Sequence, residues 1–332
     1  MGRPTLEGVD LKLKWAKNRF DILSERINEF VVEPGQDRIV LEQHPDLRGM
    51  LRVNHVHRPP PEWGILIGDC VHHYRTALDH LLFQLVVANT KGRIPAKVMR
   101  RSEFPIFNSG PRFRGKLNRK GEPLAGSGRA KIQHVSPEAR AIIERLQPYH
   151  RRKNPGSRAL WQLQELSNID KHRLLHVTHT AIRGTTFRVT KAVNIAEIRD
   201  FDFRPGPLKR NAVLAEWQAV RFDPRYGSKM NMDVDLSTEV AFGKASPARS
   251  VRGLSVQKTL FDIGAFIASY VLPPLTELLG LTSSFKPGRL IDLTSVPVEE
   301  LEALGERRLA GPVLTASNPK GASSGHSVGS TD

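Results

Sequence analysis

Between Pro59-Pro60-Pro61 and Lys91-Gly92 the chain runs from Trp63 to Asn89 without a proline, a lysine or a glutamate. Pro61-Glu62 leads into this stretch, and its composition predicts a helix about 40 Å long at 1.5 Å rise per residue. On a helical wheel Leu66, Cys70, Tyr74, Ala77, Leu78, Leu81, Leu85 and Ala88 share one apolar arc, the side that faces a core. The opposite arc holds Asp69, His72, Arg75, Asp79 and His80 among Ile65, Phe83, Val86 and Val87. An ordinary solvated face would carry lysine and glutamate. This half-apolar arc predicts contact with another element or a second subunit, with polar groups that need partners.

The rest of the chain is read around that helix. Leu11, Trp15, Ile22, Leu23, Ile27 and Phe30 recur on one side of a helix over 9–31, with charges between. Arg38–Glu42 and Met50–Val56 read as two strands of a hairpin, with turn chemistry at Pro45–Gly49. Ser136-Pro137-Glu138 is an N-cap followed by proline at the first helical position, and a further helix is expected from Ser157 to His176. Valine, threonine and phenylalanine alternate around 185–193, 213–222 and 230–242, predicting a β-rich section at about 180–242. An apolar helix over Leu254–Leu279 should bend at Pro273-Pro274. The expected fold class is α+β: a helical bundle with a long central helix, a short N-terminal hairpin and the β-rich section. One domain is expected over 1–281, with a basic loop insertion at about 91–135. An extended, mostly disordered tail follows over 282–332.

Charge is unevenly placed. Residues 91–158 hold 18 basic and 4 acidic side chains, 14 of the net 16 positive charges. Such density is an electrostatic footprint for phosphate polyanions. Arg112, Arg114, Lys116, Arg119, Lys120, Arg151, Arg152 and Lys153 are the candidate RNA-binding residues, with Arg100, Arg101, Arg129 and Lys131 beside them. Phe104, Phe107, Phe113 and Tyr149 are candidates to stack bases. Residues 108–128 read as a mobile loop. The single cysteine, Cys70, excludes an internal disulfide and every cysteine-based zinc motif. Residues 63–89 and 260–281 carry charges or prolines that disfavour a membrane span. A cytoplasmic protein is expected.

Arg75-Thr76-Ala77-Leu78-Asp79-His80 places four residues between an arginine and a histidine. On a helix of an α-bundle this resembles the motif of the HEPN superfamily of nucleotide-binding helical domains, many of them metal-independent endoribonucleases of toxin or defence type. The wider pattern, Gly68-Asp69 through Leu81 with Asn168-Ile169-Asp170-Lys171-His172-Arg173 downstream, also resembles a group of uncharacterised bacterial proteins. The HEPN resemblance implies that Arg75 binds the scissile phosphate. It implies that His80 acts as general base on a ribose 2′-hydroxyl, or as acid to the leaving oxygen. It implies no cofactor and a homodimer. Five residues turn the helix by 500°, so the two side chains leave it about 140° apart. One shared site then needs long side chains, a bend or a second copy.

A second stripe, Trp161, Glu165, Asn168, His172 and His176, is spaced 4, 3, 4 and 4 and falls on one helix face. It could line the same interior site, with His172 or His176 in proton transfer beside Arg75, Asp79 and His80. Two other readings remain open. The polar groups could be a structural network, Arg75 paired with Asp79, in a non-catalytic interaction or regulatory protein. Alternatively, Asp69 with His72 and His172 with His176 could hold a metal between helices. RNA is the expected partner, and the residues name no partner protein or antitoxin.

Overall fold

In a computed structural model the described residues are 3–32, 39–94, 96, 98, 103–150, 158–181, 188–192, 195–204, 206–226, 232–235, 238–287 and 313–315. The chain divides into two compact units. The first comprises Met1–Val31, Arg58–Thr180 and Thr238–Val296; the second comprises Val32–His57, Ala181–Ser237 and Pro297–Asp332.

The first unit is mainly helical: α1 (Glu7–Val32), α2 (Trp63–Asn89), short α3 (Gly110–Arg114) and α4 (Gly128–Lys131), α5 (Pro137–Arg145), α6 (Arg158–Asp170), α7 (Val256–Phe266) and α8 (Leu272–Glu277). The buried stripe of α1 is Leu6, Val9, Leu13, Ala16, Phe20, Leu23, Ile27 and Phe30. Their alternating spacing of three and four keeps one seam in the core. Leu11 and Trp15, expected on that seam, are each 49% exposed. Two residues of offset put Leu11 some 200° from Leu13.

Both arcs of α2 are occupied. Ile67, Cys70, Tyr74, Leu78 and Leu81 are buried on the apolar arc, and Arg75, Val86 and Val87 are buried as well. Gly64 and Gly68 let the chain after α6 come close. A Cβ on Gly68 would lie 2.0 Å from Asp170 Oδ1, and one on Gly64 would lie 2.5 Å from the Leu175 carbonyl oxygen. Only hydrogen at these positions allows that approach.

Ser136 and Ser255 cap α5 and α7 by accepting from Ala139 N and Lys258 N. After α7 the helix widens into a π turn, Ile267–Val271. It sits just before Pro273-Pro274, where proline cannot donate to the carbonyl four residues back and its ring would crowd it. The bend was expected at Pro273-Pro274; the change in helix geometry falls before them, at Ile267–Val271. Among the described residues Val256–Glu277 is the one helix long and apolar enough to cross a membrane, yet Leu260, Ile263, Ile267, Val271 and Leu275 are fully buried in this core. At the end of the unit Asp10 accepts from the hydroxyls of Ser283 and Ser284, holding the chain beyond α8 on α1.

The second unit is a β structure built from both strand regions read in the sequence. The hairpin β1 (Ile39–Gln43) and β2 (Arg48–Val53) pairs antiparallel with β5 (Val213–Phe222), and β5 with β4 (Ile195–Phe203), in the order β1-β2-β5-β4. Leu51, Val53, Leu208, Leu214 and Trp217 form its own core. Gly49 stands opposite Trp217 in the register. A Cβ there would lie 2.4 Å from the indole, so the ring takes the space of a missing side chain. β3 (Arg188–Ala192), β6 (Met232–Asp235) and β7 (Val313–Thr315) form a second small sheet. The tail expected to be disordered lies mostly outside the described residues, with 282–287 and β7 the exceptions.

Candidate functional site

Residues 103–107 cross the first unit as an extended segment, with Phe104 fully buried and Ile106 nearly so. A buried backbone needs hydrogen-bond partners, and here side chains supply them. Asp79 Oδ1 accepts from Phe104 N at 2.8 Å, and Arg75 Nη2 donates to the Phe104 carbonyl at 2.6 Å. Gln147, fully buried, accepts from Phe107 N at 2.9 Å and donates to the Pro105 carbonyl at 2.8 Å. Arg75 Nη2 also meets Asp79 Oδ1 at 3.3 Å and Glu103 Oε1 at 3.0 Å. The other Glu103 oxygen accepts from Lys131 Nζ. The result is a chain of alternating charge, Asp79–Arg75–Glu103–Lys131.

Exposure grades along that chain. The Arg75 side chain is 7% exposed, Lys131 26% and Glu103 44%. Burial pushes the Asp79 carboxyl above its ordinary range, partly offset by the Arg75 charge and the Phe104 N–H. Burial would also raise Glu103, but the Lys131 hydrogen bond and charge, joined by Arg75, hold it below its ordinary range. Glu103 is therefore an ionised acceptor at neutral pH.

Glu103 and Lys131 open onto a cleft of about 500 Å³, a volume that suits a small ligand or one unit of a polymer. Arg112, Lys116, Lys131 and Asn108 line it from the basic segment; Trp161, Gln164 and Asn168 line it from α6. Phe107 adds an aromatic wall, with Lys131 Nζ 5.8 Å from its ring centre. Gln164 Nε2 donates to Asn168 Oδ1 at 3.0 Å, orienting both amides along the helix. The basic segment is anchored to the core at Phe113. Phe113 is fully buried against Gly128 and near Tyr149. Ser127 caps α4, and Asn118 closes a tight turn by accepting from Lys120 N and Glu122 N. Within 108–128, read in the sequence as a loop, the chain forms the short helix α3 with Phe113 buried, the turn at Asn118 and the cap of α4.

The sequence candidates separate into distinct places. Arg75 and Asp79 come together in the buried chain, so the polar arc of α2 is closed over them. His80 does not join them; it packs on the start of α1, where a Cβ on Gly8 would lie 2.7 Å from its Nδ1. The helix α6 ends at Asp170 and not at His176, so His172 and His176 leave the stripe as exposed residues of the following turn and strand approach. Glu165 turns to Ser250, accepting from its backbone N–H at 2.9 Å. Of the stripe, Trp161 and Asn168 line the cleft. Arg112 and Lys116 line it too; Arg114, Arg119 and Lys120 are exposed on the same segment. Arg151, Arg152 and Lys153 lie outside the described residues. Phe104 and Phe113 are core and cannot stack a ligand; Phe107 can.

Asp69 and His72 lie near Asp170, whose carboxyl is raised by burial and then by the Asp69 charge. Among the described residues no three histidine, cysteine or acidic side chains form a metal-holding group. Glu103, Gln147 and Gln164 were missed in the sequence. The spacing of Trp161, Gln164 and Asn168 was a usable signal for the last; a lone buried glutamine leaves none. Comparison with family models, curated proteins and solved structures finds no match to this chain.

Proposed function

We propose that this is an RNA-binding protein that holds a single-stranded segment in the cleft between the basic segment and α6. The observation that carries this reading is the lining itself: Arg112 and Lys116 for phosphate, Trp161 and Phe107 for a base, and the amides of Asn108, Gln164 and Asn168 for polar edges. The exposed cations Arg114, Arg119 and Lys120 extend the basic surface beyond the cleft. The helical unit acts as a HEPN-like scaffold whose Arg75 and Asp79 support the cleft wall. Cleavage by Arg75 and His80 is not part of this reading, because the guanidinium is buried with its Nη2 bonded to Phe104 and Glu103, and the imidazole packs elsewhere.

Fluorescence anisotropy with labelled single-stranded RNA at low salt tests it. Wild type should bind, with affinity falling steeply as salt rises, and Arg112→Ala/Lys116→Ala should bind at least tenfold more weakly with an unchanged melting temperature. Absence of binding by wild type ends the proposal. If wild type cuts the RNA in EDTA, and a folded Arg75→Ala/His80→Ala variant does not, the protein is the nuclease that the motif resemblance implies.

A further inference from the structure

The cleft holds one feature that a general grip on RNA does not need. Its walls are rich in donors, yet Glu103 sets an ionised carboxylate among them, 44% exposed. A negative charge facing a phosphate backbone weakens binding, so a carboxylate there has to serve something other than phosphate. Its two oxygens are held by Arg75 on one side and Lys131 on the other. Each carboxylate oxygen has a second lone pair to offer a ligand. With Lys131 Nζ alongside, the rim presents one donor followed by two acceptors.

Among the ordinary RNA bases guanine alone has the complementary edge: the O6 acceptor, then the N1–H and N2–H donors in a row. Cytosine and adenine place one amino donor beside an acceptor, and uracil has a single N–H between two carbonyls. We propose that the cleft reads an unpaired guanine, Glu103 accepting from N1–H and N2–H, Lys131 donating to O6 and Trp161 stacking on the ring. Arg112 and Lys116 then take the flanking phosphates. The buried Asp79–Arg75 pair positions the carboxylate through Arg75 Nη2, at the inner end of a charge chain that runs from the core to the cleft. This inference rests on the RNA-binding reading above.

The test uses the full chain and short uridine-flanked RNAs that differ only in a central guanosine, inosine, adenosine, cytidine or uridine. The guanosine RNA should bind roughly tenfold or more tightly than the adenosine, cytidine and uridine RNAs, the discrimination one bidentate contact provides. Inosine, which lacks N2–H, should fall between. Glu103→Gln should lose the guanosine preference and keep residual RNA binding, provided its melting curve shows a folded protein. The inosine comparison leaves the protein untouched and decides the matter if that variant does not fold. Equal binding of all five RNAs overturns the guanine inference and leaves RNA binding standing. Guanosine preference that survives in folded Glu103→Gln overturns the assignment to Glu103. Failure of every RNA to bind overturns the RNA-binding reading, and this inference with it.

Discussion

Two helices of the first unit carry polar stripes, and their surroundings put those stripes to different uses. On α2, Arg75 and Asp79 are covered by the segment 103–107: Arg75 Nη2 donates to Phe104 and Glu103 and Asp79 Oδ1 accepts from Phe104, while Arg75 Nη1 is buried without a hydrogen-bond partner among the described residues. On α6, Trp161, Gln164 and Asn168 line a cleft; Gln164 donates to Asn168, and their other amide groups are left to a ligand. Glu103 belongs to both, tied to Arg75 inside and to Lys131 at the cleft. Residue type therefore does not distinguish a structural network from a site. What distinguishes them is whether a neighbouring segment consumes the polar groups or leaves them open. A closed group is judged by stability and an open one by binding, so each half of the comparison can be broken separately.

The largest expected effect is on the closed side. Arg75→Ala leaves Asp79 without its cation, Glu103 with Lys131 alone and the Phe104 carbonyl without a donor, and should cost about 3–5 kcal/mol of stability in urea unfolding. A wild-type unfolding curve for this variant would show that the α2 network is dispensable. Gln147→Ala comes next at about 1–3 kcal/mol, since buried backbone groups of Pro105 and Phe107 lose partners. On the open side, Arg112→Ala/Lys116→Ala should leave the melting temperature in place. It should also reduce the slope of log affinity against log salt by roughly 1.4, about 0.7 per single-strand phosphate contact. A changed melting temperature with an unchanged slope would move those cations to the structural side.

Smaller effects sharpen the boundary. Glu103 has a folded pKa below its ordinary 4.5, so its stabilising contribution is full above that value and is lost as pH falls through the lowered one. The acid limb of a melting-temperature profile should therefore be shallower in Glu103→Gln than in wild type. Asp79 has the opposite sign: its raised pKa favours the protonated form and erodes stability as pH climbs from 3.8 toward the raised value. His80→Asn should change least, within about 0.5 kcal/mol in unfolding and with RNA affinity as in wild type. A loss of RNA binding there would draw His80 back into the site.

Much of the fold was legible. The span of α2 follows from Pro61 and the uninterrupted run to Asn89, the start of α5 from Ser136-Pro137, and the break near Pro273-Pro274 from missing N–H groups. The seam of α1 was misread because Leu11 and Trp15 are large and apolar, and size says nothing of which side meets the core. Trp15 instead lies against His73 and Arg19 on the outer face, its ring 6.4 Å from the imidazole. The α6 stripe was extended past its helix. The spacing of His172 and His176 continues the period, but the backbone leaves the helix after Asp170 to pass over Gly68 and Gly64.

What the amino acids determined by themselves were the local properties: helix and strand periodicity, caps, proline breaks and the concentration of positive charge over 91–158. These depend on neighbours within a few residues, and short-range sterics and hydrogen bonding settle them. Tertiary structure alone decided that Arg75 is closed off, that His80 faces α1, and that Glu103 and Lys131 meet at the edge of a cleft shared with α6. It also decided that the early hairpin joins the later strands in one sheet with Trp217 over Gly49. Such outcomes depend on which distant segment arrives to satisfy or bury a group. Desolvation and pairing across long separations set that choice, and no local pattern of residues carries it.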